Sequence, residues 1–219
     1  TSKLKNALEN FSNEKIENQQ NPFDSLANLL MNNHRIKSGD SVYSITEIEF
    51  YFHSKEHADP YTHCDDEQFT CCKWYFNGMG LDLTFGNKDK KIHGGILIRG
   101  IKKSEDKPVY IDGPSNVLKE LFSCYEDAFT AKSGICLIEF PNENNTDKSK
   151  LYRAKRVGLP LKKEDPSNFR DKKYRYIADL NKEHKFKGKE EVIIDLIKAG
   201  DITKETGVAV LEYTPKILK

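Results

Sequence analysis

What the chain lacks narrows the choices first. It has no charge excess: 35 Lys and Arg stand against 34 Asp and Glu, a net charge of +1. Nucleic-acid binders usually carry a marked basic excess, because phosphate contacts supply most non-specific affinity. Any basic surface here must therefore be local, and the segments that offer it are 88–91, 152–156 and 169–176. No window approaches 18 consecutive apolar residues, so the sequence predicts no transmembrane helix and no membrane partner. The opening segment, TSKLKNALENFSNEK, has no apolar run or small-residue cleavage site of a secretory signal. There is no even cysteine set: residues 64, 71, 72, 124 and 136 make five. A disulfide framework is disfavoured and an intracellular setting, cytoplasmic or nuclear, is expected. There is no shortage of aromatics, 11% of the chain, which argues against wholesale disorder.

What is present reads as one α+β domain with a mostly antiparallel sheet. Leu4, Leu8 and Phe11 have helical spacing within a polar arm, residues 1–20, that reads equally as a weak amphipathic helix or as an unordered segment. Residues 22–33 predict a helix with Leu26, Leu29 and Leu30 on its apolar stripe. Strands are expected at 41–52, 80–86, 94–101, 109–112 and 134–140, with strand-like segments at RAKRVGLPL and KKYRYIADL. On the strand at 41–52, strict alternation puts Val42, Ile48, Phe50 and Phe52 on one face and Tyr43, Ile45, Glu47, Glu49 and Tyr51 on the other. A turn and helix follow at DGPS, and residues 141–150 read as a loop. The tail, 181–219, predicts a helix ending at Gly200 and a closing strand at 207–214 that pack on the main domain, 21–180.

The chemistry concentrates in EIEFYFHSKEHADPYTHC, residues 47–64, with three Glu, three His and a Cys in 18 positions. Glu49 and Tyr51 leave the same strand face, which suits a general base beside a wall that stacks on a flat ligand. A solvated strand face with charges and rings interleaved would look the same. His53, His57, His63, Cys64, Asp65, Cys71 and Cys72 could hold zinc. Their adjacent HC and CC pairs, however, lack the spacing of a closed shell, and the cysteines then read as small hydrophobes. No metal or organic cofactor is expected. A Cys nucleophile with His63 as its base is a further reading. Asp82 and Arg99 lie on neighbouring strands and could be a structural ion pair or part of a site. The DGPS helix N-terminus could bind phosphate or simply cap its helix.

The order of several segments resembles the alkyladenine (3-methyladenine) DNA glycosylase family. FDSLANLL is similar to that family's L-A-x-x-L-L helix, ITEIEFY to its I-V-E-T-E-A-Y strand, and DPYTH to its D-P-A-S-H. GGILIRGI resembles its strand ending in Arg, DGPS its N-G-P-S turn, and KRVGL and KYRYI its R-V-G-V and R-F-Y segments. The resemblance spans residues 22–180. It implies a curved antiparallel sheet and a monomer that flips damaged bases, alkylated or deaminated, out of DNA and hydrolyses their N-glycosyl bonds. Carried over by motif, it implies Glu49 as the water-activating base, Arg99 positioning the water and His63 contacting base or backbone. Tyr51 would stack on the flipped base, and Tyr75, with Trp74 adjacent, would fill the gap. Asp82 stands where the family has an Asn that screens exocyclic groups, and KWYFNGMG is shorter than the family's corresponding stretch. Two other classes remain open on the residues themselves: a non-catalytic nucleic-acid or nucleotide-binding protein on the same scaffold, and a small metal-dependent enzyme using the His/Cys loop.

Overall fold

The computed structural model describes residues 2–11, 22–103, 107–125, 129, 134–140, 148–161 and 164–218. It is a single mixed α/β domain whose antiparallel sheet curls into a half-barrel. The strands are β1 (His34–Ser38), β2 (Ser41–His53), β3 (Cys71–Phe76), β4 (Leu81–Phe85), β5 (His93–Lys103), β6 (Val109–Asp112), β7 (Cys136–Glu139), β8 (Tyr152–Ala154) and β9 (Arg175–Ile177). The helices are α1 (Lys3–Glu9), α2 (Asp24–Asn33), α3 (Pro114–Phe122), α4 (Lys189–Ala199) and α5 (Lys204–Leu211). The sheet order is β3-β4-β5-β2-β1-β7, with β6 on β5 and the pair β9-β8 on β2. The long strands β2 and β5 form its spine. Each changes its neighbour part-way along: β5 pairs first with β4 and then β6, and β2 first with β1 and then β9.

Strict alternation along β2 fails at one point. Ile45 faces Ile101, Glu47 faces Gly100 and Ile48 faces Ile98, so Thr46 is an extra residue on β2 and Arg99 an extra one on β5. A one-residue insertion exchanges the two faces. Tyr43 and Ile45 therefore join Ile48, Phe50 and Phe52 in the core, and Val42 is left exposed, the reverse of the expected face for all three. Gly100 makes the irregularity possible, since a Cβ there would lie 2.8 Å from Thr46 Oγ1 and 3.0 Å from Glu47 Cβ.

The core lies between the apolar sheet face and α1 and α2. Phe23 of the α2 entry stacks on Phe50 at 4.5 Å and on Phe11 at 5.5 Å, with Phe52 and Phe85 closing the cluster. Leu4, Leu8 and Phe11 are buried, so residues 3–11 of the expected arm are part of the core, while 12–20 lie outside the described residues. A smaller core joins Ala154 and Ile177 of β8 and β9 to Val192 and Leu196 of α4.

The expected closing strand at 207–214 is instead the C-terminal part of α5 and the residues after it. Thr203 Oγ1 accepts from the Thr206 N–H as an N-cap. Gly207 lets α5 approach α4 closely, because a Cβ would sit 2.5 Å from Ile197 Cδ1. Among the described residues, no helix is long and apolar enough to cross a membrane.

Candidate active site

The sheet face opposite the core carries a row of side chains from five adjacent strands. Register aligns Tyr75 of β3 with Asp82 of β4, Asp82 with Leu97 of β5, Leu97 with Glu49 of β2, and Glu49 with Arg175 of β9. Asp82 and Leu97 of this row open onto a cleft of about 840 Å³, within the range of small-molecule sites. Tyr51, His63, Asp82 and Arg99 line it, together with Tyr61, Leu97, Leu159 and Lys187.

Glu49 is fully buried and does not itself line the cleft; it contacts three residues that do, Tyr51, Arg99 and Val157. Its Oε2 accepts from the Tyr51 hydroxyl at 2.8 Å and lies 3.5 Å from Arg99 Nη1; its Oε1 accepts from the Val157 N–H at 2.9 Å. Arg99 also donates through Nε to Glu47 Oε1 at 2.7 Å, and Arg175 Nε reaches the same oxygen at 2.8 Å. Arg156 completes the set. It donates to both oxygens of Asp59 at 2.7 and 3.2 Å, bonds the Phe50 and Phe169 carbonyls, and holds its guanidinium 4.7 Å from the centre of the Tyr51 ring. Three buried carboxylates thus meet three buried guanidiniums. Removing charges from water in balanced, multiply bonded pairs is what makes such burial tolerable. Burial, and then the charge of Glu49, keep the Tyr51 phenol well above its usual pKa, so it remains a hydrogen-bond donor.

Asp82 is 2% exposed on the cleft floor. Burial is the main cause that pushes its pKa up to about 7, partly opposed by hydrogen bonds from Asn77 and Gln68 and reinforced by the charges of Asp65 and Glu49. It forms no ion pair with Arg99, whose partners are Glu47 and Glu49. The ion-pair reading therefore named the wrong acid. His63 is exposed at the rim, with Nδ1 3.8 Å from Asp65 Oδ2. Tyr75 donates its hydroxyl to that same Asp65 oxygen. Trp74 takes no part: its indole N–H donates to the Ile135 carbonyl and its ring packs against the main core. Adjacent strand residues face opposite ways, so Trp74 and Tyr75 could not both serve one cleft.

Two features escaped sequence reasoning. The β3–β4 hairpin tip lifts Met79, 64% exposed, to the cleft margin, and Asn77 Oδ1 holds the turn by accepting from the Met79 and Gly80 N–H groups. The short N-G-M-G spacing was the available signal. The other is Arg156, placed by its sequence in a surface basic segment but buried here, as is Arg175 of the segment 169–176. The exposed cations of those segments are Lys155, Arg170 and Lys173. They border a groove of about 430 Å³ that shares Val157, Gly158 and Leu159 with the cleft; Asp171, Glu191 and Asp195 also line it.

The His/Cys loop does not gather into a ligand set among the described residues. His57 is buried between the Phe52 carbonyl and the Tyr174 hydroxyl, and burial lowers its pKa to about 4. The one group of three potential ligands among the described residues is Glu47, Asp112 and His184, with one atom each within 4.8 Å. Two guanidiniums already neutralise the Glu47 carboxylate at Oε1, so the donor set suits a cation poorly.

No family model matches the chain. A curated relative, "Uncharacterized protein L759" of Acanthamoeba polyphaga mimivirus, is 30% identical over 189 residues, covering 71% of this chain and 85% of the relative.

Proposed function

We propose, for a chain that belongs to the family of that mimivirus protein, that the cleft lined by Tyr51 and Arg99, the partners of buried Glu49, takes an everted nucleobase from DNA and hydrolyses its N-glycosyl bond, on a fold of the alkyladenine DNA glycosylase kind. One observation carries this reading: Tyr51 and Arg99, from motifs that the family resemblance singles out, line a single cleft of base-accepting size and both contact the buried Glu49 carboxylate. Tyr51 supplies the stacking wall, braced from behind by Arg156. A carboxylate has about four acceptor sites. Tyr51, Arg99 and Val157 use three on Glu49, and the fourth accepts the proton of the attacking water while Arg99 orients it. A damaged, cationic base is already a good leaving group, so an oriented water and a carboxylate suffice without a cofactor.

The gap left by the everted base needs an apolar wedge. Met79 suits that role better than Tyr75, whose hydroxyl is committed to Asp65, or Trp74, which faces the core. Backbone phosphates would run along the adjoining groove with Lys155, Arg170 and Lys173.

A second reading, a nucleotide- or nucleic-acid-binding protein without catalysis, is favoured by the complete burial of Glu49. Release of free base from alkylated and deaminated oligonucleotides, duplex and single-stranded, measured beside a binding titration, separates the two. Base release supports hydrolysis. Binding without release from any substrate gives the site to the second reading.

A further inference from the structure

On a regular strand, neighbouring side chains point to opposite faces. Cys71 and Cys72 do not: their Sγ atoms are 3.4 Å apart and share a hydrogen bond. Two backbone features bring them together. Cys72 has φ of +60°, a left-handed conformation that costs a residue with a Cβ, and the β3–β4 register shifts between Cys71 and Trp74. Bulges of this kind re-aim side chains. A pair of small apolar residues serving only to fill space would need neither feature. Both thiols are partly exposed, beside Lys5 and Glu9 of α1.

We propose that Cys71 and Cys72 form a redox modification site, a vicinal dithiol that exchanges with a low-molecular-weight disulfide such as oxidised glutathione and closes into a disulfide between consecutive residues. The shared hydrogen bond divides the two roles. As acceptor, Cys72 has its pKa lowered, so it supplies the thiolate; as donor, and by burial, Cys71 is raised and keeps its proton longer. The Cys72 thiolate attacks one sulfur of the glutathione disulfide, whose S–S bond breaks. One glutathione leaves as thiolate and takes up the proton that Cys72 gave up. Cys71 then loses its proton, attacks Cys72 Sγ and expels the second glutathione, which accepts that proton. Two protein thiols become one disulfide, and glutathione disulfide becomes two glutathione molecules. Consecutive Cα atoms are about 3.8 Å apart, below the usual disulfide span of roughly 4.4–6.8 Å, so the ring is strained and excess thiol reopens it.

The test uses the full chain with Cys64→Ser, because Cys64 shares the tryptic peptide 56–73 with the pair. Reduced protein is exposed to oxidised glutathione at neutral pH, quenched with acid, digested and weighed. Peptide 56–73 should lose two hydrogens and regain them with excess thiol. In the Cys71→Ser version, which lacks the resolving thiol, the same peptide should keep one glutathionyl group. Exposed Cys136 reports that the reagent reacted. Cys136 carrying glutathione while peptide 56–73 keeps both thiols, or carries two glutathionyl groups without closing, would overturn the proposal. Near-UV circular dichroism of each variant verifies the fold.

Discussion

Arg156 grips both carboxylate oxygens of Asp59 across 97 residues of chain, and neither side chain is exposed to solvent. This pair ties the DPYTH loop to the KRVGL loop. It also sets the position of the next residue, Val157, whose N–H holds Glu49. Arg156→Ala would leave Asp59 buried and unpaired. The expected cost is about 3–5 kcal/mol of stability, with the loop released from Glu49. Urea unfolding monitored by tryptophan fluorescence checks it. A loss below about 1 kcal/mol would mean that the pair does not organise the site.

Exposed cations should behave differently. Changing Lys155, Arg170 and Lys173 together to Glu should leave the urea midpoint close to wild type. It should lower nucleic-acid affinity alike for all sequences and flatten the dependence of affinity on salt. Titrations at low and physiological salt measure both. An unchanged salt slope would remove the groove from the interface.

Glu49→Gln keeps the size of the side chain but takes no proton from water. Base release should fall by about 10²–10⁴-fold with binding retained. Tyr51→Ala should instead weaken binding by roughly 1–3 kcal/mol through loss of the stacking surface. Single-turnover rates and binding isotherms distinguish them. Equal base release by wild type and the Gln variant would exclude Glu49 as the base.

Asp82 gives a pH prediction with a definite sign. Its folded pKa, about 7, lies above the ordinary carboxylate value of 3.8, so between these limits the folded state binds the extra proton. Its contribution to stability therefore falls as pH rises through that window. His57, lowered to about 4 by burial, works the other way: its contribution falls as pH drops from about 6.5 towards 4. The two slopes oppose each other in wild type, so the informative quantity is a difference. Asp82→Asn should gain stability over wild type as pH goes from 5 to 8, on the order of 1–4 kcal/mol. Denaturation midpoints of both proteins across that range test it, and a difference independent of pH would show that Asp82 ionises normally.

Phe11→Ala tests whether the N-terminal segment belongs to the domain. Phe11 packs on Phe23, Phe52 and Phe85, and its removal should cost about 3–5 kcal/mol. Residues acting as a loose arm would make the change nearly neutral in thermal unfolding.

The local patterns of the sequence determined most of the elements: the helix at 24–33, the spine strands, the DGPS turn into α3, and α4 stopped by Gly200 in a left-handed conformation. Period-two alternation also determined that Glu49 and Tyr51 share a face, because side-chain direction along a regular strand is a local property. Tertiary structure decided what alternation cannot express. The extra residue Thr46 reversed the facing of Tyr43 and Ile45, a shift specified only by the partner strand. Segment 207–214 has the alternation of a strand, but capping at Thr203 and close packing of Gly207 on α4 start and hold a helix that ends at Leu211. Arg156 and Arg175 look like surface charges in their own segments. They are buried because Asp59 and Glu47, 97 and 128 residues away, provide the opposite charges that make leaving water tolerable. The elements follow from neighbours in sequence, whereas the site follows from pairings across the sheet.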